Sequence, residues 1–368
     1  MYPCPMPLEV LHVITTIDRG GAENQLLLLV TEQIKQGLNV QVAFIKGEAE
    51  LREDFEAIGV RVYKLTANKN LFSQIIALRG ILRKLSSSSV VHAHLPQAEL
   101  LCFFSMFHYN TLVVTRHFGG KFKPTSNIFL SSLLGKIASK RASKVIAISN
   151  SVKKIIIQNK EVWDNSRIEV IKYGFDRNKF RKELDYINNG GLTPPIKIGT
   201  ISRLSPEKNV NLIIEAYAEL KKVLPLDKLR ILGAGPLESE LRNLAKSLGI
   251  ESDVEFLGKS KFVANFLNEL DIFVLASSFE GFGMVLLEAM SVGKRIVASR
   301  NSAILELIGD SNCGILFNTH DKQALIESIF QSINTDLNTI LEAQEMKLSE
   351  YEISATANRI LKVYESVI

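Results

Sequence analysis

Short apolar runs rich in β-branched residues recur along the whole chain, and helical or turn-forming stretches separate them. Up to residue 175 these runs are LEVLHVIT, NVQVAFIK, VRVYKL, VVHAHL, TLVVTRH, KVIAIS and IEVIKYG, with helices expected from about Glu23 to Gln36 and Ser73 to Leu85. Near-continuous apolar strands alternating with helices predict a parallel sheet covered on both faces. After Asp176 the polar stretch RNKFRKELDYINNGGLTPP carries Asn-Asn-Gly-Gly and Pro-Pro and reads as a linker. A second series follows: IKIGTIS, LRILGAG, VEFLG, DIFVLAS, KRIVAS and GILF. The tail from about Ser349 to Val367 has helical periodicity in Ile353, Ala357, Ile360, Leu361 and Tyr364, with no strand after it. The expectation is two α/β domains, residues 1–180 and 181–350, with 351–368 as a terminal helix. No repeat of solenoid length is present.

The 368 residues give room for two buried cores, and 46% hydrophobic with 23% charged residues excludes a disordered or fibrous chain. Cys4, Cys102 and Cys313 lie far apart, which supports neither a disulfide framework nor a structural zinc site. A reducing cytosol is the expected compartment. The start, MYPCPMPLEVLHVITTIDRGG, lacks a basic region ahead of its short apolar run, so no signal peptide is expected. No apolar run reaches about 18 residues, so no transmembrane helix is expected.

Charge is unevenly divided. Residues 1–180 hold 24 Lys/Arg against 14 Asp/Glu, and no acid occurs between Glu99 and Glu161, where ten cations fall. Lys136, Lys140, Arg141 and Lys144 flank the helical stretch FLSSLLGKIASKRASK. A solvated helix face explains this, as does a surface meeting anionic lipid or a diphosphate. Nucleic acid is disfavoured, because aromatic residues are not interleaved with the charge.

Several motifs sit where strands end. Gly20-Gly21 joins a strand to a helix, which suits either a tight turn or backbone approach to an anion. His92 and His94 alternate along VVHAHL and are expected on opposite faces of their strand, in structural roles and unable to share a metal. His117 leaves the carboxyl end of a strand into a Gly-Gly loop, where open α/β sheets bind ligands. Arg203 and Lys208 flank a Ser-Pro turn beyond a strand, and as a fork and a point charge they suit a diphosphate.

LRILGAGPLESEL holds Gly233-x-Gly235-Pro between strand and helix, half of a dinucleotide fingerprint with Glu238 in place of the third glycine and Asp253 twenty residues after Gly233. FLGKS fails as a Walker motif, because Asp253 stands where its first glycine belongs. DIFVLASSFEGFGMVLLEAM is the most informative stretch. A strand ends near Ala276, a helix starts near Met284, and Glu280 and Glu288 lie eight residues apart. The amides of Gly281, Phe282 and Gly283 face whatever binds there; Glu288 suits a vicinal diol such as a ribose, and Glu280 the sugar side.

Taken together, Glu280-x7-Glu288, GGAEN, RLSPEKN, GAGP and VEFLG, in that family's order and spacing, resemble the family 4 nucleotide-sugar-dependent glycosyltransferases of GT-B fold over nearly the whole chain. The resemblance implies two Rossmann-like domains facing across a cleft, with the C-terminal helix crossing back to the first. It implies an acceptor-binding N-terminal domain and a donor-binding C-terminal one. Arg203 and Lys208 would hold the donor diphosphate, Glu288 the ribose, and Glu280 with Gly281, Phe282 and Gly283 the sugar. His117 would contact that sugar from the other domain. Gly20 and Gly21 would approach the phosphate and acceptor side, and Gly233 and Gly235 join the donor-binding set. Family members retain the anomeric configuration and generally use no metal. Where many carry Asn-Gly-x-Asp, this chain has Tyr173-Gly174-Phe175-Asp176; Gly293-Lys294-Arg295 replaces a usual Gly-x-Pro.

The expected function is therefore retaining transfer of a sugar from a nucleoside diphosphate donor, UDP-sugar ahead of GDP-sugar, to a saccharide or lipid-linked acceptor. Glu280, His117, Arg203 and Lys208 are the expected catalytic set. Peripheral contact with an anionic membrane is the further partner expected, and nucleic acid is not. The alternatives are a nucleotide-sugar epimerase on the same architecture and a non-catalytic nucleotide-sugar-binding subunit.

Overall fold

The computed structural model describes residues 7–65, 70–107, 111–117, 128–182, 184, 192–309 and 311–368. Cys4, the Gly119-Gly120 pair after His117, Lys121, Lys123 and the Asn188 to Gly191 part of the expected linker lie outside them. The chain divides into two compact units, Met1–Phe175 with Ile353–Ile368, and Asp176–Glu352.

Unit 1 begins β1 (Glu9–Ile14), α1 (Gly21–Lys35), β2 (Asn39–Phe44), α2 (Arg52–Ala57), β3 (Arg61–Lys64) and α3 (Leu71–Leu82). It continues β4 (Val90–His94), α4 (Pro96–Ser105), β5 (Thr111–Arg116), α5 (Ile128–Ser139), β6 (Ala142–Ala147), α6 (Asn150–Gln158) and β7 (Ile168–Val170). Among the described residues its sheet has seven strands in the order β3-β2-β1-β4-β5-β6-β7, all pairs parallel.

Unit 2 runs α7 (Arg177–Arg181), β8 (Ile198–Ile201), α8 (Val210–Leu220), β9 (Leu229–Leu232), α9 (Glu238–Ser247), β10 (Val254–Phe256) and α10 (Val263–Glu269). It closes with β11 (Ile272–Leu275), α11 (Met284–Ser291), β12 (Arg295–Ser299), α12 (Ser302–Leu307), β13 (Ile315–Phe317), α13 (Lys322–Asn334) and α14 (Leu337–Ser349). Its six-stranded parallel sheet has the order β10-β9-β8-β11-β12-β13 among the described residues. α7 lies inside the stretch read as linker: Asp176 caps it, its side chain accepting from the Lys179 amide at 2.8 Å.

The last helix, α15 (Ile353–Glu365), belongs to unit 1 and packs on α1. Its buried residues Ile353, Ala357, Ile360, Val363 and Tyr364 recur at the spacing of one helical face. Of these, Ala357, Ile360, Val363 and Tyr364 enter the same core as Val10, Ile14, Leu26 and Val30. Each large apolar side chain buried there contributes roughly 1.5–3 kcal/mol. The seat admits α15 because residue 174 is glycine: a Cβ on Gly174 would lie 2.5 Å from the Ile353 Cα.

Gly174→Ala is accordingly expected to loosen α15 by about 1–3 kcal/mol, the cost of overpacking against backbone. Gly80→Ala, where nothing lies within 4 Å in the last turn of α3, should be neutral or stabilising. Hydrogen exchange across 353–365 checks this; unchanged protection in Gly174→Ala would refute the packing account.

Candidate active site

In unit 2 the strand order reverses between β8 and β11, and the loops after these two strands carry the expected donor residues. Ligands of open α/β sheets bind at such a reversal. The β8 loop makes a turn, Pro206–Lys208, and enters α8 through Asn209 in the left-handed conformation at φ 47°. The Asn209 amide then donates to the Ala276 carbonyl at the end of the β11 strand at 3.1 Å, tying the two loops together. Ser278 N donates to the Glu207 carbonyl at 2.8 Å, a second tie.

Across that junction Lys208 Nζ meets Glu280 Oε1 at 2.6 Å, and the same oxygen accepts from Ser277 Oγ at 2.8 Å. Both partners are largely buried, so the pair is held rather than solvated. Ser277 is fixed in turn, its carbonyl accepting from Asn301 Nδ2 at 2.9 Å and from the Ser299 hydroxyl. Arg203 is exposed in the same loop. Gly283 precedes α11 at φ 94° with no side-chain cap, which leaves the first amides of that helix to other acceptors. Glu288 lies on α11, partly buried. The sequence thus located the two loops, but not the ion pair joining them, because Lys208 and Glu280 are 72 residues apart.

Gly233 and Gly235 have a different reason to be glycine. A Cβ on Gly233 would sit 1.9 Å from the Ser202 carbonyl oxygen, and one on Gly235 would sit 2.3 Å from that of Leu204. The β8 and β9 loops are zipped there, Ser202 N to Leu232 O at 3.0 Å and Leu204 N to Ala234 O at 3.2 Å. Asp253 pairs with Lys221. The dinucleotide-like pattern is therefore explained by loop packing, one strand away from the order reversal. Lys294 and Arg295, which replace a common Gly-x-Pro, are buried and donate to the carbonyls of Asn268 at 3.0 Å and Thr335 at 2.7 Å.

In unit 1 the order reverses between β1 and β4, and there the structure corrects the reading of His92 and His94. Residues two apart on a strand share a face, and the His92 and His94 rings are tilted together with centroids 4.2 Å apart. His12 of β1 and His117 after β5 join them in one network. Its distances are His12 Nε2 to Gln33 Oε1 2.8 Å, His12 Nδ1 to His94 Nε2 2.9 Å, and His94 Nδ1 to His117 Nε2 2.9 Å. Tyr173 hydroxyl meets His117 Nδ1. A branch runs from Gln33 Nε2 to Tyr364 OH at 3.2 Å, on to His92 Nδ1 at 2.6 Å, and from His92 Nε2 to Thr115 Oγ1 at 2.7 Å.

His12, His92 and His94 each bring a donor atom within 4.8 Å of the others, a spacing a metal ion would use. Every ring nitrogen of the three already has a protein partner, so the cluster reads as a hydrogen-bonded chain. Burial depresses all four imidazoles: His12 to about 4, His117 to about 3, and His92 and His94 well below the usual range.

Beneath His117 the buried Arg116 guanidinium lies 2.8 Å from both Glu99 and Glu161. Glu23, at the start of α1, is buried against Gly20: a Cβ there would lie 2.5 Å from its carboxylate. Burial raises the carboxyls of Glu23 and Glu99 to about 7. Gly21 has open space where a Cβ would go. Of the expected unit 1 residues, Gly20, Gly21 and His117 thus lie at carboxyl ends of strands beside or next to the reversal. Sequence reasoning missed Gln33 and Tyr364, whose one signal was polarity within an apolar helical face, and the pairing of Tyr173, which lies between β7 and α7.

In unit 1 several cations lie over aromatic rings supplied by other segments. Lys136 lies over Trp163 at 5.1 Å, Arg141 over Phe103 at 5.8 Å, and Arg83 over Phe107 at 5.9 Å. α3 packs on α4 and α4 on α5, and this side exposes Phe72 (69%), Ile76 (57%), Leu133 (52%) and Phe104 (45%). Among the described residues no helix is long and apolar enough to cross a membrane.

Two family models match this chain, "Glycosyltransferase Family 4" over residues 19–179 and "Glycosyl transferases group 1" over 186–351. The chain belongs to the group 1, family 4 glycosyltransferases and has their GT-B fold. A Campylobacter jejuni protein, GalNAc-alpha-(1->4)-GalNAc-alpha-(1->3)-diNAcBac-PP-undecaprenol alpha-1,4-N-acetyl-D-galactosaminyltransferase, is 24% identical over 98% of this chain and 99% of its own. Bacillus anthracis N-acetyl-alpha-D-glucosaminyl L-malate synthase is 30% identical over 61% of this chain and 58% of its own. For several other curated relatives the match spans 37%, 52% and 62% of their length. Among solved structures, Anabaena Alr3699/HepE in complex with UDP-glucose superposes with a TM-score of 0.82 at 22% identity, covering 98% of this chain and 100% of that one.

The depressed imidazoles set a pH dependence for unit 1. Unfolded histidines take up protons below about pH 6.5, whereas the folded rings stay neutral down to about 4 or lower. The unfolded state therefore binds more protons, and stability falls as pH drops through that window. Glu23 and Glu99 act oppositely between about 4.5 and 7, where the folded state holds their protons; two carboxyls do not offset four imidazoles. Each ring costs about 2 kcal/mol at pH 5 relative to pH 7.5. Urea unfolding of unit 1 at the two pH values measures this, and a midpoint that does not fall at pH 5 would contradict neutral burial.

Proposed function

We propose that this protein is a retaining glycosyltransferase that moves a sugar from a nucleoside diphosphate sugar, with UDP as the nucleotide, to a saccharide carried on a lipid. The observation that carries this reading is the junction of the β8 and β11 loops, where Arg203, Lys208, Glu280 and the amides before α11 gather at the order reversal of unit 2. Arg203 and Lys208 stabilise the charge that develops on the departing diphosphate, with no metal required. Glu288 binds the ribose diol; Glu280, with Gly281, Phe282 and Gly283, orients the sugar. His117 contacts a sugar hydroxyl, and Gly20 and Gly21 let backbone approach the acceptor side. The UDP-glucose held by the structural neighbour and the undecaprenol-linked acceptor named for the Campylobacter relative support donor and acceptor classes.

The Lys208–Glu280 pair makes the two cations unequal. Arg203→Ala removes one charge from the diphosphate. Lys208→Ala also leaves the Glu280 carboxylate uncompensated beside it. Both variants should lower kcat by about tenfold to a hundredfold, Lys208→Ala the more. Glu288→Ala should mainly weaken binding of free UDP, and Glu280→Ala mainly impair use of the sugar. Transfer assays and UDP calorimetry decide: near wild-type turnover in both cation variants would refute the proposal.

The acceptor's lipid is met by the α3-α4-α5 side of unit 1, where cations stack on aromatic rings and exposed apolar side chains stand beside them. Each Lys or Arg near an anionic membrane adds about 1 kcal/mol. The protein should sediment with anionic vesicles at low salt and be released as salt rises. Replacing Lys136, Lys140, Arg141 and Lys144 by Gln should abolish that; binding that persists in this variant, or is absent from the wild type, returns the face to simple solvation.

A further inference from the structure

Asn301 joins β12 to α12, and the two ends of its side-chain amide do different work. Oδ1 accepts from the amides of Ala303 at 3.2 Å and Ile304 at 3.1 Å, and so caps α12. Nδ2 donates at 2.9 Å to the carbonyl of Ser277, just beyond the neighbouring strand β11. All three partners are backbone groups of fixed polarity, so the amide has one orientation: turned over, its oxygen would face a carbonyl and its nitrogen two N–H groups. The Ser299 hydroxyl, also from β12, donates to the same carbonyl and takes its second lone pair. Ser277 and Ser299 are fully buried, so bulk water supplies neither bond. On its other flank the same segment is held from the β8 loop: Asn209 Nδ2 donates to the Ala276 carbonyl at 3.1 Å, and Ser278 N to the Glu207 carbonyl at 2.8 Å. From this clamped segment the Ser277 hydroxyl reaches Glu280 Oε1 at 2.8 Å, the oxygen that meets Lys208 Nζ at 2.6 Å. The path from Asn301 to Lys208 lies wholly within unit 2.

We propose that Asn301 is a positioning residue of the donor site: by fixing the Ser277 carbonyl it aims the Ser277 hydroxyl at Glu280, and so holds the Lys208–Glu280 pair in one arrangement ready for the donor. This rests on reading Lys208 and Glu280 as donor contacts. Lys208 carries its charge on a flexible four-carbon stem and takes its place from its partner, so whatever fixes Glu280 fixes Lys208 as well. The double task also explains the residue type. Serine or aspartate caps a helix about as well as asparagine. An ionised aspartate has no proton for the Ser277 carbonyl, and the single oxygen of serine cannot stand in both places. Asparagine gives its oxygen to the helix and its nitrogen to the carbonyl of the next strand.

The test compares two variants of the full chain. Asn301→Ser keeps a cap and gives up the Nδ2 donor, whereas Asn301→Ala gives up both. Asn301→Ala should lower the melting temperature by about 2–4 °C, the scale of one lost cap in a unit of this size, and Asn301→Ser by less. Both should lower kcat for sugar transfer alike, by about threefold to tenfold, the worth of one hydrogen bond. Activity should thus follow the lost donor and not the melting temperature. Combining Asn301→Ser with Ser277→Ala should cost no more than the worse single change, because both break one path. A readout without substrate is the rate at which an amine-reactive ester acetylates Lys208, followed by mass spectrometry. It should rise by about the same factor in both Asn301 variants, while that of the exposed Lys222 stays unchanged. Wild-type kcat in Asn301→Ser, with the loss confined to Asn301→Ala, would make Asn301 a helix cap and nothing more. Additive losses in the double variant, or unchanged acetylation of Lys208, would equally overturn the proposal. If the wild type transfers no sugar from any nucleotide donor, the proposed function fails, and the acetylation of Lys208 still decides the positioning role.

Discussion

Where strand order reverses in a parallel sheet, the connections on either side leave toward opposite faces, and the loops at the carboxyl ends of the two strands part. Much of the polar chemistry of this chain lies at or beside such a reversal. In unit 2 the β8 and β11 loops leave neighbouring strand ends at the reversal and are tied to one another, which brings Lys208 against Glu280. In unit 1 the parting of β1 and β4 sets Gly20-Gly21 near the ends of strands that carry His12 and His94. The strands are mostly apolar, with the histidines of β1 and β4 as buried exceptions, and the loops at the unit 2 reversal are tied through backbone carbonyls.

The two units meet the cost of burying polar groups in opposite ways. Unit 2 buries its site cation beside a carboxylate, so charge is cancelled locally and a bound anion must share Lys208 with Glu280. Unit 1 instead keeps its imidazoles neutral and joins them end to end, because four adjacent protonated rings in one interior have no counter-charge. The Arg116, Glu99 and Glu161 cluster is the exception there: two carboxylates on one guanidinium leave an excess negative charge, which burial relieves by raising Glu99 toward neutrality.

Periodicity made the order of strands and helices legible, since each β-rich run between turn residues became a strand, and the apolar stripe of 353–364 became α15. Short helices were less so. α2 and α12 span six residues each, too few for a stripe to repeat. α7 was hidden in a polar stretch, because its start depends on the Asp176 cap and not on apolar spacing. Strand-end residues such as Arg203, Glu280 and His117 could be named as candidates because the ends of the apolar runs are legible in the sequence. The histidine chain was not, for two reasons: the two-residue period of VVHAHL was misapplied to His92 and His94, and their partners Gln33 and Tyr364 lie 21 or more residues from His12 along the chain. Long-range polar pairing leaves no local trace.

The glycines separate what the fold needs from what a ligand needs. At Gly233, Gly235 and Gly174 an added Cβ meets backbone at 1.9, 2.3 and 2.5 Å, so these positions are glycine for packing whether or not anything binds. Gly21 has nothing within 4 Å, and Gly20 meets only the movable end of Glu23. Alanine would serve better than glycine in the first turn of a helix on propensity alone. Packing therefore gives no reason for glycine at 21, and the proposed function supplies one in what approaches the start of α1. A backbone stripped of side chains, ahead of helix amides, admits a phosphate or sugar oxygen to hydrogen-bond distance, which is the use that the proposed glycosyl transfer makes of it.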